Sequence, residues 1–542
     1  MVAPCPNIDT LIQLLRDNEP RLTEIDLRNI GVRAPNATGT DQGCFRELLD
    51  ALKGNQTATS VNLILRFLQK ISEDDLLELF EAVGALPSLE QFRLASSGLA
   101  QLPLRLTTAA LQKTKRLKSL TLQSIHAKEN VIFKTKSLRN TTDEEFLSFL
   151  DVLGNHLKDS LESFAIQDLE DSFDLDSLVD VLVTLPNLKD LSIRSFSPMN
   201  QRLTRNSVTQ LFASQSISSL ALRRLRLGSI LPDLLVTLED NSTLKKLSLE
   251  QNGLDFQCGM AIAYLLLVNK NIEVLNLGYN MIPDDCGSAI VGALSGNKTL
   301  TSLDLTANGL ELYTCRRLAH LLASNESSLQ QLTLNQNSLC DEGVVMIAAG
   351  LSQNATLRDL SLAETQITEI TCNVLMASLQ MNNTIERLNL ADNQVKDEGC
   401  ISLSKALRQN TTLKSLNLFG NNLRDQSALE LADMLKENST LERLNLGNNS
   451  HLTPKAYTSL EQVVMDYNFT LKHLWLPPTL DIVMPECSIP SFLRLNRLGR
   501  ARLLQELDSA KMWLDAMQAS ASDIHQLYYL VRANPALVSW LQ

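Results

Sequence analysis

Residues 385–423 read IERLNLADNQVKDEGCISLSKALRQNTTLKSLNLFGNNL. The opening IERLNLADNQV returns 28 positions later as LKSLNLFGNNL, so this stretch holds one complete repeat and the start of the next. Working outward, LKKLSLEQNGL begins at Leu244, IEVLNLGYNMI at Ile272, LTSLDLTANGL at Leu300, LQQLTLNQNSL at Leu329, LRDLSLAETQI at Leu357 and LERLNLGNNSHL at Leu441. A degenerate copy, LKHLWLPPTL, begins at Leu471. From Leu244 the intervals are 28, 28, 29, 28, 28, 28, 28 and 30 residues, a regularity that chance placement of leucine does not produce.

The same template runs upstream in weaker form from Leu22, Ala58, Leu89, Leu117, Leu161, Leu188 and Leu222, with intervals from 22 to 44 residues. Sixteen strands are therefore expected, less regular over residues 22–243 than over 244–479. The longest interval, from Leu117 to Leu161, leaves room for a surface insertion over residues 127–142.

Each part of the repeat has a physical role. Alternate residues of a short strand point to opposite faces, so the second and third leucines of LxxLxLxxN face a core and their neighbours face out. The Asn that follows (Asn252, Asn280, Asn308, Asn337, Asn393, Asn421, Asn449) is suited to bonding backbone where the chain leaves the strand, with Thr365 as a locally weaker substitute. Beyond it, Asp397 suits a helix start, and Leu403, Ala406 and Leu407 follow at helical spacing. A second Asn column (Asn241, Asn297, Asn354, Asn382, Asn410, Asn438, Asn468) sits three residues before each new motif and is read as a left-handed helix terminus. All seven also match N-x-[ST], but capping explains them without glycosylation. Strand, turn, helix and turn, repeated, give a parallel sheet with helices on one side. Helices are wider than strands, so such a stack curves into a horseshoe with a concave sheet.

The 542 residues are too many for one ordinary core, and a repeat explains how an apolar 44% is buried. A net charge of -12 argues against an overall nucleic-acid or anionic-membrane footprint. The longest clean apolar run, residues 260–268, is too short to span a bilayer, and the amino terminus does not read as a secretion signal. Nine cysteines without an export signal suggest reduced thiols in the cytoplasm or nucleus. Cys258, Cys286, Cys315, Cys372 and Cys400 recur in one column and read as small buried fillers.

The 28-residue unit, with its D-E-G helix start (397–399) and N-T-T-L return (410–413), resembles the ribonuclease-inhibitor subtype of leucine-rich repeat. That subtype also forms the sensing arm of NOD-like receptors, the body of Ran GTPase-activating protein and many repeat-only proteins of unicellular algae. The resemblance is specific from Leu244 to Leu476 and moderate from Leu22 to Leu227. It implies an α/β leucine-rich repeat solenoid that binds protein, without fixing the partner.

An open stack needs a cover at each end. Residues 1–21, with Leu11, Ile12, Leu14 and Leu15, are expected to supply a short helical cap. Pro477 and Pro478 stop further pairing, and residues 480–542 form a helical carboxy-terminal extension carrying Trp513 and Trp540. Within it, SFLRLNRLGRARLL (491–504) resembles the extension on algal repeat-only proteins. Its arginines Arg494, Arg497, Arg500 and Arg502 read as the solvated side of a cap or as a docking element.

Two clusters are expected on the sheet face. Arg194, Arg224, Arg226 and Lys246 form a basic strip. Arg387, Asn389, Asn417, Phe419, Arg443, Asn445, His473 and Trp475 form the stronger candidate, because exposed aromatics beside arginine are the composition of binding hot spots.

Catalytic chemistry finds no motif. Residues 292–299, GALSGNKT, miss phosphate-loop spacing, and the six histidines form no zinc pair. The carboxylate pairs Asp284-Asp285 and Asp341-Glu342 suit helix starts. The reading is a non-catalytic cytoplasmic or nuclear scaffold without metal or cofactor, binding a protein partner on the concave face and neither nucleic acid nor membrane. A GTPase-activating regulator similar to Ran GTPase-activating protein, which would engage a small GTPase, is the alternative, though the acidic tail usual in such proteins is missing. A ligand-sensing receptor arm is a third class, here without a nucleotide-binding domain.

Overall fold

The computed structural model describes residues 8–20, 22–27, 41–65, 73–97, 104–125, 143–169, 174–195, 203–478, 489–497, 500, 516 and 530. The expected insertion at 127–142, Arg502 and most of the extension, including Trp513 and Trp540, lie outside them. The chain divides into two compact units, Met1–Gly253 and Leu254–Gln542.

The first unit carries eight strands: β1 Glu24–Leu27, β2 Ser60–Leu65, β3 Gln91–Ser97, β4 Ser119–Ile125, β5 Ser163–Leu169, β6 Asp190–Ser195, β7 Ser219–Arg223 and β8 Lys246–Ser248. From β1 to β8, consecutive strands pair in parallel. The amino-terminal helix Ile8–Arg16 packs on the helix Asp41–Gly54, burying Leu11, Ile12 and Leu15.

The second unit carries β9 Val274–Asn276, β10 Ser302–Asp304, β11 Gln331–Thr333, β12 Asp359–Ser361, β13 Arg387–Asn389, β14 Ser415–Asn417, β15 Arg443–Asn445 and β16 His473–Trp475. Register is constant: Leu275, Leu303, Leu332, Leu360, Leu388, Leu416, Leu444 and Leu474 stand opposite one another along the sheet. Between the strands run helices such as Phe256–Val268, Asp284–Ala293, Leu312–Ser324, Cys340–Leu351, Glu369–Met381 and Lys396–Leu407, each packed on its successor. A helix is about 10 Å wide and strands lie about 4.8 Å apart, so this stack bends with its sheet on the inner side. None of the described helices is long and apolar enough to cross a membrane.

The expected register of the seventh repeat is corrected. The strand is Ser219–Arg223, so the motif begins at Ile217 (ISSLAL) rather than at Leu222, with Ile217, Leu220 and Leu222 buried. The intervals from Leu188 then become 29 and 27 residues, so the last three upstream repeats are regular, while the intervals of 36, 31 and 44 residues before them remain. Leu222, Leu225 and Leu227 imitate the motif and are all buried, so burial does not separate the two readings; the pairing of Ser219, Leu220 and Ala221 with Lys246, Leu247 and Ser248 decides the register.

The left-handed position is also corrected. Gln251, Tyr279, Ala307, Gln336, Glu364, Asp392, Gly420 and Asn448 all have positive φ, one residue before the strand-exit position. Left-handed backbone therefore recurs at the strand exit and not at the column asparagines, although Asn325, which ends the helix Leu312–Ser324, also has it; Gly420, at φ 65, adopts it without the cost a Cβ imposes. Asn382 and Asn438 end their helices in extended conformation. They act through their side chains. Asn382 Oδ1 accepts from the N–H groups of Thr384 and Ile385, both at 2.9 Å, while Nδ2 donates to Leu351 O at 2.7 Å and Asn354 O at 3.0 Å in the preceding repeat. The column is buried, Asn382 to 2% exposure, which closes it to glycosylation.

The strand-exit asparagines form a second ladder. Asn393 Nδ2 donates to Leu362 O at 2.8 Å, and its Oδ1 accepts from Thr365 and Ile367 N–H at 3.1 Å each. At Thr365 the rung is broken locally: its hydroxyl donates to Leu362 O at 2.7 Å, and the Leu339 N–H turns to Asn337 O in its own repeat. The five column cysteines are buried, and burial pushes their thiols up to about 11 (Cys258, Cys286) or about 12 (Cys315, Cys372, Cys400).

Candidate functional site: the sheet face of the second unit

β13, β14 and β15 each bury their central leucine and turn the two flanking residues outward, while on the last strand, β16, Leu474 is only half-buried. Parallel pairing then builds two outward columns. Arg387, Ser415, Arg443 and His473 stand side by side in one, and Asn389, Asn417, Asn445 and Trp475 in the other. The structure thus brings the members of the stronger sequence cluster onto one surface, with Phe419 just beyond β14.

Their states differ. Arg387 is ion-paired with Asp359 on the adjacent strand, so its cation is largely spoken for. The outermost row is neutralised as well: Glu386 accepts from Arg358 at 2.7 Å and Lys414 at 2.9 Å, and Glu442 pairs with Lys472 at 2.8 Å. Arg443 has no carboxylate within ion-pair distance among the described residues.

The asparagines are partly structural, for a local reason. Asn389, Asn417 and Asn445 each use Oδ1 to accept the N–H two residues on, at 3.1, 3.1 and 3.0 Å, closing a side-chain turn as the strand ends. Asn389 also donates to Ser361 Oγ at 2.8 Å. Trp475 stands where the turn Asn stood, and its ring stacks on His473, with centroids 5.4 Å apart and planes 12° apart. It is 49% exposed. Burial lowers the His473 pKa, and Arg497 and Arg443 lower it further, so the ring is neutral at physiological pH.

Phe419 is half-buried. A Cβ built on Gly447, at the equivalent place one repeat on, falls 2.9 Å from Phe419 Cδ2 and 3.2 Å from Cε2. The ring therefore lies over Gly447, where any side chain would displace it. This pairing was invisible in either repeat alone, though the contrast of NLFGN (417–421) with NLGNN (445–449), Phe419 against Gly447 and Gly420 against Asn448, marks the place.

The basic strip does not assemble as expected. Arg224 and Arg226 both have positive φ and lie beyond β7, in the turn leading to the short helix at Leu227. Arg194 on β6 instead stands opposite Arg223, which ion-pairs with Glu250 at 3.5 Å. Lys246 is exposed on β8, opposite Ser219.

The carboxylates proposed for helix starts do cap helices, but those of the next repeat. Asp284 accepts from the N–H groups of Glu311, Tyr313 and Thr314 at 2.8, 2.7 and 3.0 Å. Asp341 accepts from Thr368 N at 2.9 Å and Thr368 Oγ at 2.6 Å, and also from Thr371 Oγ. Burial opposes the Asp341 charge, yet those hydrogen bonds prevail and hold its carboxyl below the usual range. Among the described residues no cluster of His, Cys, Asp and Glu is arranged to hold a metal ion.

The described part of the extension closes the stack. In the helix Ile489–Arg497, Asn496 lies 28 residues after Asn468 and donates to Asn468 O at 3.1 Å, as the next repeat's Asn would, and also to Leu471 O at 2.7 Å. Arg500 is 1% exposed, bonded to Val464 O at 2.8 Å and to Met465 O. The Phe469 and Phe492 rings lie 4.4 and 4.9 Å from its guanidinium carbon. The expectation of a solvated arginine side fails at this residue; Arg494 is exposed, and Arg497 donates to Lys472 O at 2.8 Å.

Residues 382–404 and 409–432 match the family model described as Leucine Rich repeat. No curated protein matches the chain. Among solved structures, it is similar to the actin-binding site 2 of leiomodin-1 (19% identity, 36% of this chain, 95% of that one, TM-score 0.26). It is also similar to an internalin from Listeria monocytogenes (17%, 75% and 91%, TM-score 0.38) and the tropomodulin C-terminal domain of Caenorhabditis elegans (15%, 28% and 90%, TM-score 0.25). The family match, the parallel one-per-repeat strands and the intervening helices agree: the chain is an α/β leucine-rich repeat solenoid.

Proposed function

We propose that this protein is a non-catalytic scaffold of the ribonuclease-inhibitor subtype that binds a protein partner on the concave sheet face of its second unit, through Trp475, His473, Arg443 and Phe419. Leucine-rich repeats typically mediate protein–protein interaction. The observation that carries the reading is Trp475, held flat by His473, half open, and set beside an arginine without a carboxylate partner among the described residues. Its open half is on the order of 100 Å², and covering it contributes about 2.5 kcal/mol, more than tenfold in Kd. The rigid strands present these groups with little ordering cost. Free thiols at Cys258, Cys286, Cys315, Cys340, Cys372 and Cys400 suit the cytoplasm.

A photo-crosslinker placed at Phe419 identifies what touches this face, and affinity measurements with Phe419→Ala/Trp475→Ala test it. Recovery of the same partners, in the same amount and with the same Kd, from wild type and the double variant removes the proposed surface. Adding the same preparations to GTP-loaded small GTPases separates binding from GTPase activation, since only the latter speeds turnover.

A further inference from the structure

The apolar run 260–268 belongs to the helix Phe256–Val268, which has no charged residue in its thirteen positions. One side, Cys258, Ile262, Leu265 and Leu266, is buried against the repeat. The other side should be polar in a surface helix. Instead Phe256, Met260, Tyr264 and Leu267 are 51%, 44%, 56% and 51% exposed, at spacings of four, four and three residues. With about 200 Å² for each large side chain, that stripe leaves roughly 400 Å² of apolar surface open to water. Met281, whose N–H donates to Leu254 O at 2.9 Å close to the start of this helix, is 70% exposed and extends the patch. A patch of roughly 400 Å² matches the largest found on ordinary monomers, which are often functional, and it would supply about half of the ~800 Å² that each partner contributes to a standard interface, as its apolar centre.

The charges at the two ends indicate the partner. Asp255 caps the amino end, accepting from Gln257 and Cys258 N–H at 3.1 and 3.2 Å. Lys270 holds the carboxy end, donating to Leu267 O at 2.7 Å and Gly296 O at 3.0 Å. An isologous two-fold contact requires a surface complementary to itself. Laid antiparallel, two copies of this helix put Asp255 of each against Lys270 of the other, oppose their dipoles and leave only uncharged residues between. In a chain of net charge -12, two copies repel across most faces, and an uncharged helix with opposite charges at its ends meets its own image without that penalty. We propose that the protein forms a two-fold homodimer through the exposed face of the helix Phe256–Val268, the two helices antiparallel.

Sedimentation velocity of the full chain over roughly a hundredfold range of concentration tests this. Wild type is expected to move from 60.1 kDa to twice that mass. Tyr264→Glu/Leu267→Glu, at exposed positions, is expected to remain monomeric with unchanged circular dichroism and unfolding midpoint. Lys270→Glu is expected to weaken association at low salt. A wild-type chain that stays monomeric throughout overturns the proposal, including the case in which the stripe serves a different protein. A dimer indifferent to the double glutamate variant overturns it equally. Neither result depends on the sheet face.

Discussion

Replacing Asn382 with alanine is the most direct test of how the repeats are held together. The substitution removes two hydrogen bonds accepted from Thr384 and Ile385 N–H, and two donated to Leu351 and Asn354 carbonyls. Ile385 is 1% exposed, so its N–H has no route to water. An abandoned buried donor costs about 1–3 kcal/mol, and each lost net hydrogen bond about 1 kcal/mol, so a loss of about 4 kcal/mol is expected. Asn382→Asp should be at least as damaging, because it keeps the acceptors but turns a carboxylate oxygen toward Leu351 O at a position 2.7 Å away. Repeat proteins transmit stability mainly between neighbours, so the loss should be concentrated around residues 351–385. Urea unfolding measures the total, and hydrogen exchange at the Thr384 and Ile385 amides shows where it falls. A loss below about 1 kcal/mol, or exchange that rises equally in both units, refutes the ladder as the source of cohesion.

Thr365→Asn should restore the missing rung by accepting from the Leu339 amide, stabilising the unit by about 1 kcal/mol in urea unfolding; destabilisation would show that the site has adapted to threonine. Arg500→Ala leaves the Val464 and Met465 carbonyls unpaired and opens the space between Phe469 and Phe492, so it should cost about 3 kcal/mol, with exchange rising first in residues 489–497. In the native chain a thiol reagent should label Cys340, which is exposed, well before Cys258, Cys286, Cys315, Cys372 and Cys400; early labelling of that column by peptide mass spectrometry would contradict its burial. Asp341 has a folded pKa below its unfolded value, so its contribution is complete above the ordinary carboxylate range and disappears as pH falls through the folded pKa. Asp341→Asn should therefore lose stability at neutral pH and show a shallower decline into acid than wild type.

Much of the architecture was legible because a stacked repeat writes its contacts into a period. Inward leucines, strand-exit asparagines and column cysteines each meet the same neighbours in every copy, so identity at spacing 28 is itself evidence of contact. The same logic put Arg387, Arg443, His473 and Trp475 on one face, since register follows once the leucines are aligned. It failed where composition imitated the pattern. LRRLRL looked like a strand, but the pairing with β6 and β8 runs through Ser219–Arg223, and Arg224 takes the left-handed turn.

Pattern alone determined how many strands there are, which residues face inward and where a binding surface was worth seeking, because burial of an alternating side chain depends on nearby sequence. Tertiary structure decided the rest: that Asp284 and Asp341 cap the following helix, that Asn382 bonds the preceding repeat, that Arg500 is sealed in the terminal cap, and that one helix has an apolar side turned to water. Each depends on what lies across a gap of about one repeat or more, and a side chain's charge, solvation and partners are set by the atoms that reach it in space.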